Sequence, residues 1–330
     1  MEKTVLVLDP RFREIAKKLD ITVAVALPSR NRSNIIVLKA LLTLIVSVIV
    51  KRPDVVLFLG VVTNTPFLLD VPKTFAVLRK IGLLRKPKVI IWANKTFERT
   101  ERRIVGRIQA GDLRVIDRVI IYNRDAVSHL PIAYRKKFVY IPLPAVNIPP
   151  IPRSQFSKPY AFAGGESQRD FESLIAAVDS IDIDIRIHTL GKGVEILESI
   201  TLPSNVYIYA GDRITKNPTD YIAAMASARF VIVPLKDTTD PKGLTTIVEA
   251  FALGKAVIST WSTGLDDYLR HDHNCLRVEA EDPIGYRRAI QLLSKDDHLL
   301  AELERGARQT GREVVPENFA SRLSEVVTGL

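Results

Sequence analysis

Cysteine is almost absent: Cys275 stands alone in 330 residues. The chain therefore cannot close an internal disulfide, and a reducing, cytoplasmic setting is expected. Aromatic residues are scarce at 7 %, leaving few rings on which nucleic-acid bases could stack. No apolar run reaches the roughly 20 residues that span a bilayer. The longest, residues 35–50, carries Lys39, Thr43 and Ser47 four positions apart, the narrow polar stripe of a buried helix. The apolar run 5–8 meets Asp9 and Pro10 too soon for a signal peptide. No Gly-x-Gly-x-x-Gly follows the first apolar run, which argues against a dinucleotide dehydrogenase, and no P-loop pattern occurs. His271 and His273 have no further ligand cluster beside them and make a poor zinc site. Asp182-Ile-Asp184 opens an alternating Asp-Ile-Asp-Ile-Arg-Ile stretch and reads as a solvated strand edge. His129 and His188 read as isolated structural residues, and Cys275 as a small core residue.

What is present is bulk and pattern. A chain of 330 residues, 47 % hydrophobic, exceeds the usual size of one hydrophobic core, so two domains are expected. Charge divides unevenly: residues 1–150 hold 27 Lys+Arg against 11 Asp+Glu, and residues 151–330 hold 20 against 26. A basic first half suits an anionic partner such as membrane lipid, nucleic acid or a phosphorylated acceptor. Short β-branched runs at 5–8, 23–27, 55–60, 89–93, 119–122 and 138–142 alternate with helical stretches. They are continuously apolar, as strands covered on both faces should be. Residues 142–159 include six prolines and read as a linker. Beyond it, strands are expected at 160–163, 183–189, 206–210, 230–235, 256–260 and 275–278, and helices at 168–178, 220–228 and 244–253. Asp282 and Pro283 form an N-cap and first-turn proline for a helix through 293, and a terminal helix follows Pro316 over 319–327. The expected organisation is an α/β domain over 1–147, a linker over 148–158, a second α/β domain over 159–315 and a helical segment over 316–330.

The stretch most informative for chemistry is Asp237-Thr-Thr-Asp-Pro-Lys-Gly-Leu-Thr-Thr-Ile-Val-Glu249. It leaves the end of a strand through a polar loop and enters a helix near Gly243. Ligands of open α/β sheets sit beyond the carboxyl ends of strands. Backbone N–H groups over Gly243, Leu244, Thr245 and Thr246, with the helix dipole, suit a diphosphate. Gly243 permits close approach, the two threonines add hydroxyls, and the Glu249 carboxylate can accept hydrogen bonds from a ribose diol. A second element, Phe162-Ala-Gly-Gly-Glu-Ser-Gln-Arg169, places Gly164, Gly165 and Arg169 at the start of the second domain.

These segments resemble the donor-site signature of family-4-type (group 1) retaining glycosyltransferases, over most of residues 156–330. The carrying residues are the loop and helix just quoted, then Ala250-Phe-Ala-Leu-Gly254, the Ala256-Val-Ile strand, Gly264-Leu-Asp-Asp-Tyr268, and Asn274-Cys-Leu-Arg-Val278 followed by Glu281-Asp-Pro283. The resemblance implies a GT-B architecture, two Rossmann-like parallel-sheet domains facing each other across a cleft. It implies a nucleotide diphosphate sugar as donor substrate, with no further cofactor and no metal. Glu249 then holds ribose, Gly243–Thr246, Lys242, Gly164 and Gly165 surround the diphosphate, and Arg169 neutralises the leaving group. Pro241 stands where the family has a second glutamate, so Asp240 or Asp237 is the candidate substitute. Trp92-Ala-Asn-Lys95 stands where a histidine is usual, making Asn94 and Lys95 candidates toward sugar or acceptor. The terminal helix is expected to pack on the first domain.

Residues 73–88 and 99–118 mix basic and apolar side chains at near-helical spacing, as interfacial helices do. With the basic first half, they point to a glycan, lipid or small-molecule acceptor, and to peripheral association with an anionic inner membrane face. Three alternatives stay open: an epimerase-like enzyme on the same scaffold, a non-catalytic nucleotide-sugar-binding protein, and a nucleic-acid binder, the last disfavoured by the acidic second half.

Overall fold

The computed structural model describes residues 55–58, 78, 79, 82, 88–92, 116–127, 132–146, 148, 158–166, 168–210, 218–237 and 241–329. The strands expected at 5–8 and 23–27, the apolar helix over 35–50, Asn94, Lys95, Asp240 and most of the two basic segments lie outside them. The chain divides into two compact units, residues 1–142 with 316–330, and residues 143–315.

In the first unit, β1 (Val55–Phe58), β2 (Lys88–Trp92), β3 (Arg118–Ile121) and β4 (Phe138–Tyr140) form a parallel sheet in sequential order. Their β-branched centres, Val56, Ile90, Val119 and Ile120, are fully buried, as both faces of a parallel sheet require. Asp117, at the head of β3, accepts the Val89 N–H at 2.8 Å and pairs with Arg79 at 2.5 Å. Burial pushes the Asp117 carboxyl up. The Arg79 and Val89 hydrogen bonds and the charges of Arg79 and Lys88 outweigh it and hold the group below its ordinary range. Arg79, expected on the basic surface, is instead committed to this ion pair. The short helix α1 (Ile132–Arg135) precedes β4.

The second unit has a six-stranded parallel sheet. Its strands are β5 (Tyr160–Gly164), β6 (Asp184–Thr189), β7 (Val206–Ala210), β8 (Phe230–Val233), β9 (Val257–Thr260) and β10 (Cys275–Val278). They lie in the order β10-β9-β8-β5-β6-β7. The strand order reverses between β5 and β8, the topological switch point at which such sheets bind ligands. Helices α2 (Phe171–Val178), α3 (Lys192–Glu198), α4 (Pro218–Ser227), α5 (Leu244–Ala252), α6 (Pro283–Lys295) and α7 (Asp297–Glu313) fill the connections. The core joins Phe171, Leu174, Ile185, Ile187, Phe230, Ile232, Ile258, Tyr286, Ile290 and Leu303. The terminal α8 (Pro316–Thr328) groups with the first unit and buries Phe319, Ala320, Leu323 and Val327, one stripe at helical spacing.

Two local differences from the sequence reading matter at the site. The helix expected from residue 168 starts at Phe171, because Asp170 is its N-cap and accepts the Ser173 N–H at 3.1 Å. Arg169, expected to open that helix, precedes it and forms an isolated antiparallel bridge with Leu235. The strand expected over 230–235 stops at Val233, ahead of Pro234, which has no N–H to give the ladder.

Candidate functional site

The loops that follow β5 and β8 meet at the switch point. After β8 the chain runs to Pro241, Lys242 and Gly243, and Gly243 caps α5 with φ +77°, a left-handed conformation that favours glycine. A Cβ there would stand 2.7 Å from Val233 Cγ1 and 3.6 Å from an Arg169 Nη. The turn is fixed by the Leu244 N–H to Pro241 O at 3.4 Å and the Ile247 N–H to Gly243 O at 3.1 Å. Between them, the N–H groups of Thr245 and Thr246 find no backbone acceptor among the described residues. They form the positive end of the helix dipole.

Arg169 reaches this turn from β5. It is 5 % exposed; its Nε donates to Gly164 O at 2.9 Å and one Nη to Thr246 Oγ1 at 3.4 Å. The main chain on either side is tied to the loop after β8, with the Asp170 N–H on Pro234 O and the Lys236 N–H on Gln168 O, each at 3.1 Å. Gly165 has φ +116°, and a Cβ there would overlap the Arg169 guanidinium. Its N–H bonds His188 O at 3.1 Å and its carbonyl accepts Thr189 Oγ1 at 2.9 Å. Gly165 thus makes room for the arginine.

Several expected binding groups stand differently. Thr245 is exposed, whereas Thr246 is buried with its hydroxyl between Arg169 and Tyr221 OH, the latter at 3.3 Å. Thr246 therefore mounts the arginine instead of presenting a hydroxyl. Leu244 is buried and its N–H is spent on Pro241 O. Glu249 is 1 % exposed on α5. Lys242 is half-buried, and Lys236 pairs with Glu172 at 3.5 Å. Asn94 and Asp240 lie outside the described residues. Among the described residues, no group of three or more His, Cys, Asp and Glu side chains could hold a metal ion.

Sequence reasoning missed Tyr221 and the ring cluster beside it. His188 stacks on Phe162 at 5.1 Å and on Tyr209 at 4.6 Å between centroids, and Tyr221 meets Phe162 edge-on at 5.1 Å. Burial, then the Arg186 charge, push the His188 imidazole down to about 4 against the pull of Asp220. The signal was there in the period-two pattern, since β5, β6 and β7 carry Phe162, His188 and Tyr209 on alternate residues. Only the strand register brings them together. A further clamp holds the end of β8: Thr260 Oγ1 accepts the Leu235 N–H at 2.7 Å and lies 2.7 Å from the Tyr286 hydroxyl, whose pKa burial raises.

The arrangement offers a left-handed turn, helix N-terminal amides and a buried guanidinium within one small region. That combination suits a polyanion such as a diphosphate.

Residues 161–296, within the second unit, match the family model of glycosyl transferases group 1. No curated protein matches the chain in sequence. Solved structures resemble it over nearly its whole length. A glycosyltransferase from Rickettsia africae has a TM-score of 0.67 at 14 % identity, covering 98 % of this chain and 89 % of that one. Anabaena Alr3699/HepE in complex with UDP and glucose has 0.67 at 13 %, covering 99 % and 100 %. Sucrose-phosphate synthase from Thermosynechococcus elongatus has 0.67 at 13 %, covering 99 % and 98 %. The fold is GT-B, with two Rossmann-like parallel-sheet units.

Proposed function

We propose that this GT-B chain, whose residues 161–296 match the glycosyl transferases group 1 model, transfers a sugar from a nucleotide diphosphate sugar to an acceptor hydroxyl. The observation that carries the reading is the convergence of Arg169 and the Gly243 turn at the switch point between β5 and β8. The diphosphate sits on the amides of Thr245 and Thr246 and against Arg169, with Lys242 beside it, and Glu249 holds the ribose. Negative charge grows on the diphosphate as the glycosidic bond breaks. A guanidinium already fixed there, together with a helix N-terminus, stabilises that charge without reorganising. Protein cations thereby do the work a metal would do, and the transfer retains configuration at the anomeric carbon. The Anabaena relative was crystallised with UDP and glucose, which makes UDP and UDP-glucose the first ligands to try. The acceptor is a lipid-linked or other glycan met at an anionic membrane surface through the basic first half.

The test is a thermal-shift titration of the full chain with UDP, GDP and their sugars, since a ligand that binds the native state raises its melting temperature. At about 100 times the dissociation constant the stabilisation is about 2.7 kcal/mol. Absence of a shift with every nucleoside diphosphate would falsify the donor site. A shift with the diphosphates but no transfer or hydrolysis of any sugar nucleotide would reduce the chain to a binding protein.

A further inference from the structure

Trp261 is 51 % exposed, although indole is among the side chains that gain most from burial. It is rigidly held. Its backbone N–H donates to Val278 O at 2.7 Å, the next residue, Ser262, is buried, and the Arg277 guanidinium lies over the ring at 5.0 Å from its centroid. Arg277 is itself fixed, to Asp266 at 2.7 Å and to the Leu269 carbonyl. An exposed ring tied down on its backbone and beneath a pinned cation is not a mobile surface residue.

Its position in the sheet is informative. Trp261 follows β9 directly, at the carboxyl ends of the strands, where the sheet binds ligands. Arg169 bridges to Leu235, and Leu235 bonds Thr260, the residue before Trp261. Trp261 therefore stands two strand spacings from Arg169, about 10 Å along the rim. That is the reach of a diphosphate-linked sugar plus the ring that receives it. Polar groups joined to the indole suit hydroxyls: Arg277, over the ring, holds the half-exposed Asp266 carboxylate, and the Thr263 side chain, two residues on, is exposed.

Resting on the donor reading above, we infer that Trp261 is the stacking platform for a pyranose ring of the acceptor, with Asp266 and Arg277 holding its hydroxyls. The apolar C–H face of the sugar lies on the indole, and the equatorial hydroxyls meet the carboxylate and guanidinium at its edge. The acceptor is thereby a saccharide, at least in the ring next to the new bond, and Trp261 sets specificity for it.

The test uses the full chain with Trp92→Phe, leaving Trp261 as its only tryptophan. The difference between the unchanged chain and Trp261→Phe repeats the reading without altering residue 92. Trp261 emission is followed as UDP is added, then glucose, N-acetylglucosamine, lactose and maltose, and separately vesicles of phosphatidylcholine with phosphatidylglycerol. The expected result is a saturable emission change with at least one saccharide. In Trp261→Ala the half-saturating concentration of that saccharide, read by thermal shift, rises about tenfold, while UDP affinity stays within about twofold. Silence toward every saccharide with UDP still raising the melting temperature overturns the platform and leaves the donor site standing. A saccharide response without any UDP shift keeps the platform and removes the donor reading. An emission change with vesicles alone overturns the platform in favour of membrane contact.

Discussion

Arg169 works as a binding group because of what surrounds it. Gly164 O and Thr246 Oγ1 accept from two different nitrogens of its planar head, and Gly165 leaves the space that head fills. A lysine has one ammonium and no fork, so Arg169→Lys keeps the charge but loses the two-point mounting. The expected outcome is a UDP affinity lowered about tenfold and a turnover lowered about a hundredfold, as loss of one fixed transition-state donor costs. Titration and steady-state kinetics read the two separately, and a loss of affinity with turnover unchanged would make Arg169 a ground-state anchor only. Gly243→Ala tests the turn itself. Alanine at φ +77° costs about 1–2 kcal/mol, and its methyl would crowd Val233. The melting temperature should fall by roughly 2–8 °C for that loss, and the UDP-induced shift should shrink. Gly243→Asn, with a residue that tolerates the left-handed region, should recover part of the stability. If Gly243→Ala leaves both readouts unchanged, the left-handed turn is not what shapes this site.

At the scale of elements, the ring cluster across β5, β6 and β7 ties stability to pH. The His188 pKa is about 4 in the folded chain and about 6.5 in the unfolded one. Between those values the unfolded state binds the extra proton, so stability is complete above about pH 6.5 and is lost as pH falls toward 4. The span corresponds to about 3 kcal/mol. His188→Phe keeps a stacking ring and removes the proton. Its melting temperature should gain on the unchanged chain as pH drops from 7 to 4.5, and a constant difference over that range would sink the argument. Elements also differ in how plainly the sequence announces them. Strands β5 to β10 were legible as apolar or alternating runs, and Asp282-Pro283 announced the start of α6 through its cap, which accepts the Gly285 N–H at 2.8 Å. Helix α7 was not, since its buried face includes Gly306, Ala307, Thr310 and Gly311, residues too small or polar to mark an apolar stripe. The Gly243 turn before α5 could be read because backbone chemistry dictates residue type there. The mounting of Arg169 by Thr246 and Tyr221, and the stack on His188, depend on strand and helix neighbours far apart in sequence.

Across the whole molecule, charge follows the division into units. Residues 1–142 with 316–330 carry 28 Lys+Arg against 13 Asp+Glu, and residues 143–315 carry 19 against 24. One chain thus joins a strongly basic body to a mildly acidic one. If the donor is bound by local groups in the second unit, the field of the first is left to act on something else, and the proposed partner is a surface of anionic lipid. Among the described residues no helix is long and apolar enough to cross a membrane, so the attraction proposed is electrostatic. Arg79 is excluded from it by its bond to Asp117, and Arg79→Gln should lower stability more than vesicle binding. Lys80, Arg85 and Lys86 are the basic residues to change. Near an anionic surface each contributes about 1 kcal/mol, so replacing all three with glutamine should weaken partition onto phosphatidylglycerol vesicles about a hundredfold. The same partition should fall steeply as salt is raised, since the Debye length shortens from about 10 Å at 0.1 M to about 3 Å at 1 M. Sedimentation with neutral phosphatidylcholine vesicles supplies the comparison. Binding that ignores both salt and lipid charge would show that apolar contact and not the basic field drives it, and no binding to phosphatidylglycerol vesicles would favour a soluble acceptor, because only an extended anionic surface makes the lipid term scale with the number of lysines and arginines removed.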